Sequence, residues 1–497
     1  MKICSGHRRL FNEIVLIGLS LAVLVAAIAP AQELVSNVDG KIRVVILHYA
    51  EGVEGFWFDQ KVLIGDLLRK MDKDVGFVVL GGKDDRAGQA REALRPFEAE
   101  RLPDGTARLK HLVVDVKSSL FYPWARDPYF VQADPEGRLV FLDAGYNEKP
   151  FPVTTFGEIF AGARTLAGTV NRGGGNIRTA EEAVFIGMDT ILGVGTKRRF
   201  VGFGQESYDH LFEIARSVKS KDIPAFREKF DAHAEFLHRV LAAGKRLVIP
   251  EEELFFEKLA KGEFEFKKKS PRDTGAQAEY HTDVYLGLGD KAADGRRVLF
   301  VADSRAGALV AGGLNEEARR AVERALPGVL AREGLSASGV PLTEAQIAAR
   351  FEWEKRKLLD LGIGEAKKQA EKFDKAAAYL EGLGFKVVRV PCLPNGLNDE
   401  DEKNDGVVGV SFNYSNVLTE VYGDVRKVYL PRFGFEAMDS AAAAAYRSAG
   451  FEPVFVDGLV TNALSVLQAG LDCLTSEIRF SVRWTEGIKG TCTQSLD

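Results

Sequence analysis

One motif recurs along this chain: a run rich in β-branched and aromatic residues, a turn rich in Gly and Asp, and a second such run. The reading places it at residues 127–143, 176–188, 281–303, 411–430 and 471–484, with turns such as Asp134-Pro135-Glu136-Gly137 and Tyr422-Gly423-Asp424. Runs of this kind bounded by Gly and Asp are β-hairpins. Around the fourth, a strand at 385–390 precedes the hairpin, and an Ala-rich helix at 439–448 and a strand at 451–456 follow it. Strands alternating with helices call for an α/β architecture, and the irregular spacing excludes a solenoid. Two charged helical stretches, about 205–246 and 315–383, read as insertions packed on the periphery. Lys267-Lys268-Lys269 and the acidic stretch 398–405 read as solvated loops.

The first 31 residues differ from the rest: Lys2, Arg8 and Arg9 precede an apolar run over 14–29 that ends in Ala29-Pro30-Ala31. That is the pattern of a secretory signal peptide, and the run is short for a membrane span. The expected organisation is a leader at 1–31 and a single domain at 32–497, exported to a periplasmic or extracellular setting and touching membrane only through an uncleaved leader. Beyond the leader, 63 basic side chains face 70 acidic ones, a net charge of about −7. Nucleic acid is an unsuitable partner for such a chain. Three cysteines remain there, Cys392, Cys473 and Cys492, too few and of the wrong parity for a disulfide scaffold, so at least one thiol stays unpaired.

Four places carry possible chemistry. Trp124-Ala125-Arg126-Asp127 offers a flat apolar face beside a two-oxygen acceptor, which suits a planar cation; an ordinary Arg126–Asp127 surface ion pair is the plainer alternative. Gly173-Gly174-Gly175-Asn176 allows close approach of backbone, without the further residues of a phosphate or dinucleotide loop. His281-Thr282-Asp283, read as strand, puts imidazole and carboxylate on one face, as a structural pair, a partial metal site or a catalytic pair. Cys473, after Gly470 and at the start of the fifth hairpin, is by itself a buried small hydrophobe.

Taken together, these residues resemble the guanidino-modifying enzymes of the pentein fold, the group containing agmatine deiminase, arginine deiminase and peptidyl-arginine deiminase. The resemblance runs over about residues 112–483. Trp124-Ala125-Arg126-Asp127, Gly174-Gly175-Asn176, His281-Thr282-Asp283, Asn413-Tyr414-Ser415-Asn416-Val417 and Cys473-Leu474-Thr475 carry it, in the family's order. It implies a five-bladed α/β propeller of ββαβ units with pseudo-fivefold symmetry. It also implies hydrolysis of a guanidinium group to a ureido product and ammonia, without cofactor or metal. In that chemistry Asp127 and Asp283 bind the guanidinium, Cys473 attacks its carbon, and His281 serves as acid and then base. Trp124, Asn176 and Asn416 are the expected pocket residues. Two departures stand out: Asp472 where relatives often have His before the nucleophile, and Gly173 where an acidic residue is common. Export favours a peptide- or protein-bound arginine, or a related guanidine, as substrate. An amidinotransferase and a non-catalytic guanidine-binding protein are the alternatives.

Overall fold

Three strands and one type of connection are repeated through the chain. The computed structural model describes residues 33–49, 60–82, 92, 94–114, 124–144, 153–166, 174–192, 211–241, 244–263, 282–312, 362–393, 412–433, 436–457, 470–485 and 491–492. Residues 1–31, Gly173, His281 and residues 313–361 lie outside them.

In each sheet an antiparallel pair is extended by a parallel third strand. Tyr129–Ala133 pairs with Leu139–Asp143, which takes Arg164–Leu166 in parallel. Ile177–Thr179, Ala183–Ile186 and Arg246–Val248 repeat the arrangement. So do Leu286–Lys291, Arg297–Asp303 and Lys386–Leu393, and then Leu418–Tyr422, Val425–Pro431 and Glu452–Val456. A parallel neighbour cannot be reached by a tight turn. Helices accordingly occupy each gap before the third strand: Thr155–Ile159, Ile223–Leu241, Gly362–Gly382 and Glu436–Ser448. The result is a mixed α/β fold of several small sheets with helices between them.

The fifth sheet corrects one expectation. No hairpin forms over 471–484; Thr475–Ile478 pairs antiparallel with Val44–Tyr49 from the other end of the chain, and Val44–Tyr49 takes Gly76–Gly82 in parallel after the helix Gln60–Lys70. The physical reason lies in Val44-Val45-Ile46-Leu47-His48-Tyr49, where every residue is buried. A strand apolar on both faces has to be central, with partners along both edges. Arg479, just past Thr475–Ile478, donates instead to the carbonyls of Asn37, Val38, Gly40 and Thr419 and ties this end of the sheet to its neighbours.

The described helices of the two charged stretches pack on the sheets. Ile223–Leu241 buries Phe226, Phe230, Leu237 and Leu241, and Gly362–Gly382 buries Ala366, Phe373, Ala376 and Leu380. Apolar residues three and four apart give each helix one stripe that packs on its sheet, with the charges on the other side. Among the described residues no helix is long and apolar enough to cross a membrane.

Candidate active site

Cys473 sits in the single helical turn Leu471–Leu474, directly before Thr475–Ile478. Gly470 allows that placement, because a Cβ there would stand 2.4 Å from the Asn416 carbonyl oxygen. Asn416, fully buried, then grips the turn at three points. Its carbonyl accepts from the Leu471 N–H at 3.0 Å. Its side-chain oxygen accepts from the Cys473 N–H at 3.1 Å, and its Nδ2 donates to the Cys473 sulfur at 3.0 Å. Asn413 sets Asn416 in turn, its Oδ1 accepting from the N–H groups of Ser415 and Asn416 at 2.9 and 3.3 Å. Such turn-making side-chain bonds are what Asn supplies best.

Asp283 approaches the same sulfur, and the Cys473 thiol donates to its Oδ2 at 3.0 Å. Here the structure corrects the sequence reading: Thr282–Tyr285 is a helical turn, not strand, so the two-residue alternation that paired His281 with Asp283 does not apply. The turn is imposed by Asn176, whose Oδ1 accepts from both the N–H and the hydroxyl of Thr282 at 2.9 and 3.2 Å. Thus Asn176 and Asn416, expected to line the pocket, each use their amide to hold a segment of the site.

Asp127 is 4% exposed and accepts from the Gly175 N–H at 3.2 Å. Gly174 serves this approach of chain to chain, since a Cβ there would lie 2.2 Å from the Arg126 carbonyl oxygen. Gly174→Ala is therefore expected to cost about 1–3 kcal/mol of stability, as overpacking does. A thermal unfolding midpoint equal to that of the parent would show that the contact is not tight. Trp124 is half-buried and packs against the apolar cluster that includes Cys473, Leu471 and Leu474.

Arg126 does not form the surface pair considered above. Its guanidinium turns inward, at 2.8 Å from Asp472 and in contact with Glu477, while its backbone N–H donates to the Cys473 carbonyl at 3.3 Å. Behind it lies a cavity of about 20 Å³, lined by Arg126, Tyr129, Thr179 and Glu477. That is room for a single water and too little for a substrate.

Burial pushes the Cys473 thiol well up, and the carboxylates of Asp283, Asp127 and Asp472 push it further. Burial also opposes the charge of Asp472, but Arg126 and Arg178 outweigh it and hold this carboxyl below the usual range. The thiol therefore stays protonated at neutral pH while acid groups face it from three segments. Arg178 and the inward role of Arg126 are not part of the sequence reading, and Asn413 enters it only as the first residue of the Asn413–Val417 motif. No local sequence pattern marks Arg178, whose burial in Ile177–Thr179 is evident only in the fold.

Among the described residues no cluster of His, Cys, Asp and Glu could hold a metal ion. No protein-family model matches this chain, and no curated protein matches it.

Proposed function

We propose that this chain is a cysteine hydrolase acting on guanidinium groups, built as the five-unit pentein ring. Five repeats of the same three-strand unit support the ring. The chemistry rests on one observation: a buried thiol that donates to the carboxylate of Asp283 at 3.0 Å. Two buried carboxylates beside a thiol repel each other's ionised forms and the thiolate. A planar cation with a fork of five N–H donors relieves that repulsion and can donate to both carboxylates. A protein that only binds guanidines has no use for a sulfur held by Asn416.

In the proposed reaction, Asp127 and Asp283 hold the guanidinium while its charge draws the thiol toward ionisation. The thiolate forms a bond to the guanidinium carbon, and a C–N bond breaks as ammonia leaves with the proton given up by the thiol. His281 delivers that proton, then takes one from the water that attacks the thiouronium carbon. The C–S bond breaks, a ureido product departs and the thiol is restored. No cofactor enters the sequence of steps. The leader points to work outside the cytoplasm, which favours peptide- or protein-bound arginine or a related guanidine.

Acid-quenched mass spectrometry tests the covalent step. During turnover of a guanidine substrate, an amidino adduct is expected on the peptide carrying Cys473, and His281→Ala is expected to accumulate it. A quenched enzyme that consumes substrate yet never carries the adduct would contradict the covalent route.

A further inference from the structure

The reaction outlined above leaves one group of buried charges unused. Asp472 directly precedes the nucleophile and is wholly buried. Its Oδ1 takes Arg126 at 2.8 Å, and its Oδ2 takes Arg178. Arg178, 1% exposed, belongs to Ile177–Thr179, and Arg126 to the turn before the first hairpin. Arg126 also contacts Glu477, which lies 3.4 Å from Arg479. Three separated stretches of chain thus converge on the residue beside the sulfur. Buried ion pairs of this kind add little net stability compared with apolar packing, so their expense next to a nucleophile points to a task there.

We propose that Asp472 is a positioning residue: clamped between Arg126 and Arg178, it fixes the turn that carries Cys473 and sets how much of the two arginines' positive field reaches the sulfur. The inference deepens the reading of Cys473 as nucleophile and rests on it. It also gives a use to Asp472, the acidic neighbour that would otherwise oppose a thiolate. The charged groups facing Cys473 are Asp283 from Thr282–Tyr285, Asp127 from the turn after Trp124, and Asp472 on its own turn. Asp472 is paired with two guanidiniums. Removing its charge leaves those guanidiniums as net positive neighbours of the sulfur, whereas removing Arg178 leaves an undercompensated carboxylate beside it.

The two variants should therefore move the thiol in opposite directions. Iodoacetamide labelling of the full chain, read by mass spectrometry on the Cys473 peptide across a pH series, measures this without turnover. Asp472→Asn is expected to lower the midpoint by about one pH unit, near tenfold faster labelling at neutral pH, and Arg178→Gln to raise it by about as much. Asp472→Glu should restore parent behaviour. Loosening of the turn also lowers the midpoint, so the rise in Arg178→Gln, with parent behaviour in Asp472→Glu, is what separates the proposal from it. A merely structural role would move both toward the value of an exposed thiol. Unmoved midpoints, or shifts of one sign, would overturn the inference. Ureido product formed by an enzyme with unmoved midpoints removes this inference alone; moved midpoints without guanidine turnover remove the hydrolase reading alone.

Discussion

Asp283→Asn is expected to lower kcat/KM for a guanidinium substrate by about a thousandfold, with the fold intact. Asparagine keeps the shape of the side chain and can still accept from the Cys473 thiol, which lies 3.0 Å from Oδ2. What it loses is charge. Asp283 is fully buried, and breaking one partner of a buried charge pair costs about 3–5 kcal/mol, which at about 1.4 kcal/mol per decade is a factor between a hundred and several thousand in rate. Thermal unfolding should stay near the parent value or rise, because a carboxylate facing Asp127 and Asp472 is removed. Steady-state kinetics within tenfold of the parent would take Asp283 out of the binding role assigned to it.

Alkylation by a cationic reagent is the second large effect. Chloroacetamidine and chloroacetamide are close in size, but the first carries a delocalised positive charge that Asp127 and Asp283 would attract in the proposed site. Burial and these two carboxylates raise the thiol. A neutral reagent consequently meets little thiolate at pH 7, and its rate climbs as pH rises toward the raised pKa. The amidinium offsets both carboxylates on arrival, so it creates the nucleophile that it consumes. After correction for their rates with free cysteine, chloroacetamidine is expected to label Cys473 at least about a hundredfold faster at pH 7, each tenfold reflecting one unit of thiol pKa. In Asp283→Asn the ratio should fall toward one. Equal rates on the parent would mean that the site does not recruit a cation.

The hairpins at Tyr129–Asp143, Ile177–Ile186, Leu286–Asp303 and Leu418–Pro431 were legible because their signals are local. In the first, Asp134 folds its own turn by accepting from the N–H groups of Glu136 and Arg138, and Gly137 adopts a φ of 74°. The strand Thr475–Ile478 was not legible in this way, since its partner Val44–Tyr49 comes from the opposite end of the chain and no local pattern encodes that pairing. Thr282-Asp283-Val284-Tyr285 reads as strand from its β-branched and aromatic residues; the two bonds that Asn176 takes from Thr282 bend it into a helical turn instead. Asp127, Asp283 and Cys473 could be named in advance from short motifs, and the structure sets the Cys473 thiol on the Asp283 carboxylate. The partners of Arg126 and Arg178 could not, because buried ion pairs match residues by position in space. The same limit hid the service of Asn176 and Asn416 to the protein's own backbone, where the motif suggested contact with a ligand.

Product formation tests the central claim most directly. The full chain is incubated with benzoyl-arginine amide, free arginine and agmatine, and ureido product and ammonia are quantified beside Cys473→Ala. Equimolar ureido product and ammonia from at least one of these substrates, abolished in Cys473→Ala, is the predicted result. Turnover that persists in Cys473→Ala, or no product from any guanidine offered to a folded protein, would contradict it.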